Sequence, residues 1–112
     1  MITIEWDEAG YPDDASIEKI PDLVFHDFEV EVEPAWNFLK RVLQECANNN
    51  CSSFSLDVFK DPWRTSEDEE ITFTTGGWSG AESLIYAIEK NVWLSQYLYT
   101  WRRGGLYVFR SR

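Results

Sequence analysis

Histidine occurs once in these 112 residues and cysteine twice, and that shortage of ligands closes off most metal and nucleophile chemistry. Cys46 and Cys51 are separated by Ala47 and three asparagines, a spacing that matches no standard zinc motif, and His26 alone cannot complete a coordination sphere. No metal and no cofactor are expected. Long apolar runs are also missing: nothing approaches the ~20 residues of a membrane helix. The opening MITIEWDEAG is acidic where an export signal is basic and then apolar. The expected setting is therefore the cytoplasm, with no membrane partner. There the two cysteines would stay thiols, whereas an oxidising compartment would let them close a small loop.

Positive charge is the next scarcity, with ten Lys and Arg against twenty Asp and Glu, a net charge of −10. The imbalance is concentrated. Residues 1–33 carry Glu5, Asp7, Glu8, Asp13, Asp14, Glu18, Asp22, Asp27, Glu29, Glu31 and Glu33 against the single Lys19, while residues 90–112 carry Lys90, Arg102, Arg103, Arg110, Arg112 and no acid. Such a chain is repelled by nucleic acid and by anionic membranes and is steered towards basic partners. Ordinary solubility is the alternative meaning of the same charge.

What is present in quantity is apolar and aromatic: 44% and 16% of residues. That is enough for a packed core in one domain spanning 1–112.

The most determinate stretch is 71–91, ITFTTGGWSGAESLIYAIEKN. Ile71, Phe73 and Thr75 alternate with Thr72 and Thr74 as a half-buried strand. Gly76 and Gly77 break it, and Ser79 with Glu82 has capping-box spacing for a helix starting near Gly80. Ala81, Leu84, Ile85, Ile88 and Val92 then form one apolar stripe. A glycine turn leading into a helix N-terminus can hold an anion, which makes Gly76, Gly77, Ser79 and Gly80 a weak candidate anion site. No lysine sits at phosphate-loop spacing, and a plain strand-to-helix connection anchored by Trp78 explains the same residues.

Elsewhere Ile2, Ile4 and Trp6 read as a short first strand, 7–14 as a loop, and 16–20 as a single helical turn ended by Pro21. Residues 24–32 read as a strand with His26, Phe28, Val30 and Val32 on one face and Asp27, Glu29 and Glu31 on the other, Glu33 continuing the line. Side chains on one face repeat at ~6.5–7 Å. The carboxylates therefore form a ladder that suits a basic groove, although the charged face of an edge strand that must not pair is the more ordinary meaning.

Pro34 opens a helix over 34–47 whose stripe is Ala35, Phe38, Leu39, Val42, Leu43 and Cys46, with Trp36 off it. Phe54, Leu56 and Val58 mark another strand, followed by a turn at Asp61 and Pro62 and by the acidic run 67–70, read as a solvated loop or an extension of the acidic surface. Residues 93–101 alternate as an aromatic strand, and Arg102, Arg103, Gly104 and Gly105 turn it back into 106–109 as a hairpin. Stacking of nucleic acid on those aromatics is the competing reading, which the net charge disfavours.

The pair TGGWSG (75–80) and RRGG with LYVF (102–109) resembles small bacteriophage and prophage proteins of no settled activity. The likeness covers the last third of the chain and implies origin and, by analogy, a protein that binds and blocks a host protein.

No catalytic residue emerges. Carboxylate pairs such as Glu29 with Glu31, or Asp57 with Glu70, are the only acid–base candidates, and among twenty acids no pair stands out. The expectation is a non-enzymatic acidic protein that inhibits a basic host or toxin protein, immunity-like, through Asp13, Asp14, Asp27, Glu29, Glu31 and Glu33. The alternative is a small structural or accessory component that self-assembles; either way the chain is a monomer or small homo-oligomer. The expected fold is α+β, a mainly antiparallel sheet of five or six strands with helices 34–47 and 80–92 on one face.

Overall fold

A computed structural model describes residues 3–25, 33–50, 52–60, 67–102 and 104–111. In chain order they form α1 (Asp14–Lys19), a 3-10 turn (Ile20–Asp22), α2 (Ala35–Asn49), β1 (Ser53–Lys60), β2 (Glu67–Thr74), α3 (Ser79–Lys90), α4 (Val92–Ser95), β3 (Leu98–Arg102) and β4 (Leu106–Arg110). The strands make one sheet in the order β1-β2-β4-β3, antiparallel throughout.

The fold is α+β with an antiparallel sheet, as expected, but among the described residues the sheet has four strands and not five or six. Around Ile4 and Trp6 local bonds replace a strand. The Asp7 carboxylate accepts the N–H groups of Ala9 and Tyr11, and only an isolated bridge joins Trp6 to Pro12. An aspartate offering its own backbone a closer partner wins over a ladder. Residues 93–101 are not one strand either. Asn91 accepts from the N–H groups of Trp93 and Leu94 and starts the short α4, so the ladder begins only at Leu98. Most of the 24–32 strand, and the turn at Asp61 and Pro62, lie outside the described residues.

The 67–70 run, expected as a loop, is the first half of β2. Val92, expected on the core stripe of α3, is 75% exposed because that helix ends at Lys90. Trp36, expected off the stripe of α2, is buried against Tyr97, its indole N–H donating to Glu69 at 3.0 Å. Ser79 is the first residue of α3 and not its cap, because the helix begins one residue earlier than capping-box spacing requires, with Trp78 at the cap position.

Ile71, Phe73 and Phe109 bring the apolar side of the sheet into the core, where they meet Phe38, Leu39, Val42, Leu43 and Cys46 of α2 and Ala81, Leu84, Ile85 and Ile88 of α3. The opposite side is mixed, with Glu70, Thr72 and Thr74 on β2 beside Val108 and Leu106 on β4. The two glycine motifs, far apart in sequence, meet. Thr75 N–H donates to Gly105 O at 3.0 Å, and a Cβ on Gly105 would stand 2.1 Å from the Thr75 hydroxyl. Only glycine, here at φ +81°, lets the hairpin turn approach that closely.

Asn91 fastens the N-terminal third to this frame. It is fully buried, and its Nδ2 donates to Ile20 O at 2.7 Å and Leu23 O at 2.9 Å while its Oδ1 accepts the α4 N–H groups. Replacing Asn91 by Ala should cost about 3 kcal/mol or more, because buried backbone groups are left without partners. Asn91→Asp should be worse, since a carboxylate cannot donate to two carbonyls. Denaturant melts of both variants check the ranking.

Candidate functional site

Loop 7–12 is built by short-range bonds. Asp7 N–H donates to Tyr11 O at 2.9 Å, Gly10 N–H donates to Asp7 O, and Asn50 Nδ2 at the end of α2 donates to Gly10 O at 3.1 Å. Asp13 closes the loop on both sides. Its carboxylate takes the N–H of Glu5 at 2.9 Å and, as the cap of α1, the N–H of Ser16 at 3.0 Å and its hydroxyl. The Glu5 and Ser16 hydrogen bonds hold the Asp13 carboxyl below its usual range.

Between this loop, α1 and the start of α3 lies an open cleft of about 610 Å³. Glu5, Asp7, Asp13 and Asp14 supply its charge, Trp6, Tyr11, Pro12 and Ile17 its apolar wall, and Gly80 and Ser83 its α3 side. Tyr11 stacks on Trp78 with ring centroids 5.2 Å apart, and the Ser79 hydroxyl donates to the Tyr11 hydroxyl at 3.2 Å. A carboxylate-rimmed cleft with aromatic walls suits a cation, above all a guanidinium, which pairs with carboxylates and stacks on rings.

The structure thus brings Asp13, Asp14 and Gly80 to one place, together with Glu5, Asp7, Trp6 and Tyr11, which the sequence did not single out. The signal for them was the Asp7, Gly10, Pro12 spacing of a self-bonded loop. Gly76 and Gly77, at φ +61° and +76°, form the tight turn closed by Trp78 N–H to Thr75 O at 3.0 Å. Gly80 is packed under Tyr11 and Pro12. An anion near Gly80 would face the four carboxylates of the cleft, which disfavours it.

Glu33 sits elsewhere, gripped by Arg41 through two 3.0 Å bonds. Asp27, Glu29 and Glu31 lie outside the described residues. In the 67–70 run Asp68 is buried, Glu69 meets Lys40 at 3.0 Å, and Glu70 meets Arg110 at 2.7 Å. Asp57 and Glu70 are register partners across β1 and β2 on the side of the sheet turned away from the core.

No group of metal-ligating side chains comes together among the described residues, and no helix among them is long and apolar enough to cross a membrane. Cys46 is buried, and burial pushes its thiol up, away from nucleophilic range, against the smaller pull of Ser52 and Asn50. Comparisons with protein-family models, with curated proteins and with solved structures give no match.

Burial raises the Glu69 carboxyl, but the Lys40 and Trp36 hydrogen bonds and the Lys40 charge outweigh it and leave it below its usual value. Its stabilisation is therefore complete above the unfolded-state value and lost as pH falls through the lower folded one. Melts of wild type and Glu69→Gln should differ most near neutrality and converge in acid. A gap independent of pH would show that the ion pair carries no linkage.

Proposed function

We propose that this chain is a non-enzymatic binding protein that takes a basic segment of a partner protein into the acidic cleft and thereby blocks that partner, in the manner of an inhibitor or immunity protein. One observation carries the reading: Glu5, Asp7, Asp13 and Asp14 converge on a single open cleft whose wall contains Trp6 and Tyr11. The charge there is not neutralised by basic lining residues, whereas Glu33, Glu69 and Glu70 are held in ion pairs. The net charge of −10 favours fast encounter with a basic partner, and the cleft supplies the short-range fit. Asp27, Glu29 and Glu31 belong to the same acidic third of the sequence and enter the proposal through their charge alone, which favours encounter with a basic partner.

Capture from a bacterial lysate, with wild type beside a Glu5→Lys, Asp14→Lys double variant, tests it. Both positions are exposed, so the variant should melt with wild type. The expected result is one basic protein retained by wild type, bound on the order of 10- to 100-fold more weakly by the variant and weakened by moderate salt. Equal retention by the two proteins would remove the cleft from the reading.

A further inference from the structure

We infer that β1 is a self-pairing edge, through which two copies of this chain join antiparallel about a twofold axis at Leu56 into one continuous eight-stranded sheet. The two edges of the sheet differ in how they are guarded. β3 has five residues, a register shift between Leu98 and Thr100, and Arg102 at its end, all features that discourage pairing. β1 has eight residues in unbroken register with β2 and, before its last residue, Asp57 as its only charge. Among the described residues no strand lies on its outer side. Leu56 and Val58 share the core side of the sheet with Ile71, which is fully buried, yet they are 40% and 59% exposed. An apolar face that ends in mid-air at a long, regular edge is the geometry that strand addition completes.

The sequence of β1 selects the occupant and the register. A continuous sheet with both cores on one side requires core-side residues to face core-side residues, so the axis must pass through a residue and not between two. With the axis at Leu56, that residue faces its own copy, Phe54 faces Val58 twice over, and Ser55 faces Asp57. Apolar meets apolar, and each aspartate meets a hydroxyl. Moving the axis to Asp57 sets two aspartates against each other, a destabilising cross-strand pair. Moving it to Ser55 leaves Val58 opposite Ser52. The Leu56 register is the one that gives Phe54, Leu56 and Val58 apolar partners all at once, with positions 59 and 60 left opposite Ser53 and Ser52 at its ends, and it is self-complementary, as a twofold interface must be.

The surface is separate from the acidic cleft, so either proposal can fail alone. Sedimentation of the full chain over a range of concentrations should give twice the 13.1 kDa chain mass. Val58→Lys should raise the dissociation constant about 10-fold or more, since each dimer receives the charge twice. Tyr99→Lys on the other edge, and the Glu5→Lys, Asp14→Lys variant, should leave the mass unchanged. In a Cys51→Ser background, mild oxidation should cross-link Leu56→Cys and not Asp57→Cys, which reads the register even if Val58→Lys folds poorly. A monomeric wild type overturns the inference, and β1 amides protected from exchange in such a monomer would assign the edge to the chain's own 26–32 segment. A dimer broken by Tyr99→Lys, or cross-linked at Asp57→Cys and not at Leu56→Cys, overturns it as well.

Discussion

One buried side-chain amide holds the two unlike parts of this protein together. Residues 3–25 contain little regular structure, and α1 buries none of its side chains. Ile4, Ile20 and Phe25 reach the core from this region, but the backbone joining them has no ladder to belong to. Asn91 supplies the missing partners at the corner between α3 and α4, giving both of its hydrogens to the Ile20–Leu23 turn and its oxygen to α4. Aspartate, leucine or glutamine could not do the same, for want of donors, of polarity or of the short reach. A fully satisfied amide in a low-dielectric site specifies one arrangement strongly, because every alternative leaves charge-bearing atoms unpaired. That contact positions α1 against α3, and the Asn50 bond to Gly10 and the packing of Tyr11 on Trp78 set the loop that completes the cleft.

Charge is organised by the same frame. Glu33 with Arg41, Glu69 with Lys40 and Glu70 with Arg110 pair across elements on α2 and the sheet. These pairs are partly exposed and individually contribute little, yet they neutralise the acids near the few cations. The carboxylates of loop 7–12 and α1 have no such neighbours in the cleft they line. Asp7 and Asp13 are nonetheless structural: each uses oxygens to fold its own loop, so the negative field of the cleft is a by-product of how a glycine- and proline-marked loop satisfies its backbone. A loop tied by its own hydrogen bonds would lower the ordering cost of the proposed binding.

Periodicity made the helices and the central strands legible. Seven of the fifteen residues of α2 are buried, and the stripe from Ala35 to Cys46 read from the sequence is contained in them. Trp36 was missed because a large ring at the stripe's margin can turn inwards when Glu69 waits to accept its N–H. Among the described residues, polar side chains overrode a period-two pattern twice: Asp7 beside Trp6 removed the expected first strand, and Asn91 before Trp93 shortened the 93–101 strand to β3. Such overrides depend on one side chain reaching a particular N–H, which alternation of apolar residues does not encode. Asp13, Asp14 and Gly80 were recognised separately, for different reasons. Their convergence on one cleft depends on the docking of α1 against α3, a tertiary event with no local signature.

The central claim of the proposed function is that negative charge on this protein binds a partner at the cleft and is ion-paired or solvating elsewhere. Backbone amide shifts recorded by NMR during titration with a short arginine-rich peptide test it most directly. Perturbations concentrated at Glu5, Asp7, Asp13, Asp14, Gly80 and Ser83 and saturating together are the predicted result. Equal, unsaturated shifts at those residues and at the exposed Asp57, Glu82 and Glu89 would show a diffuse acidic surface and contradict the account.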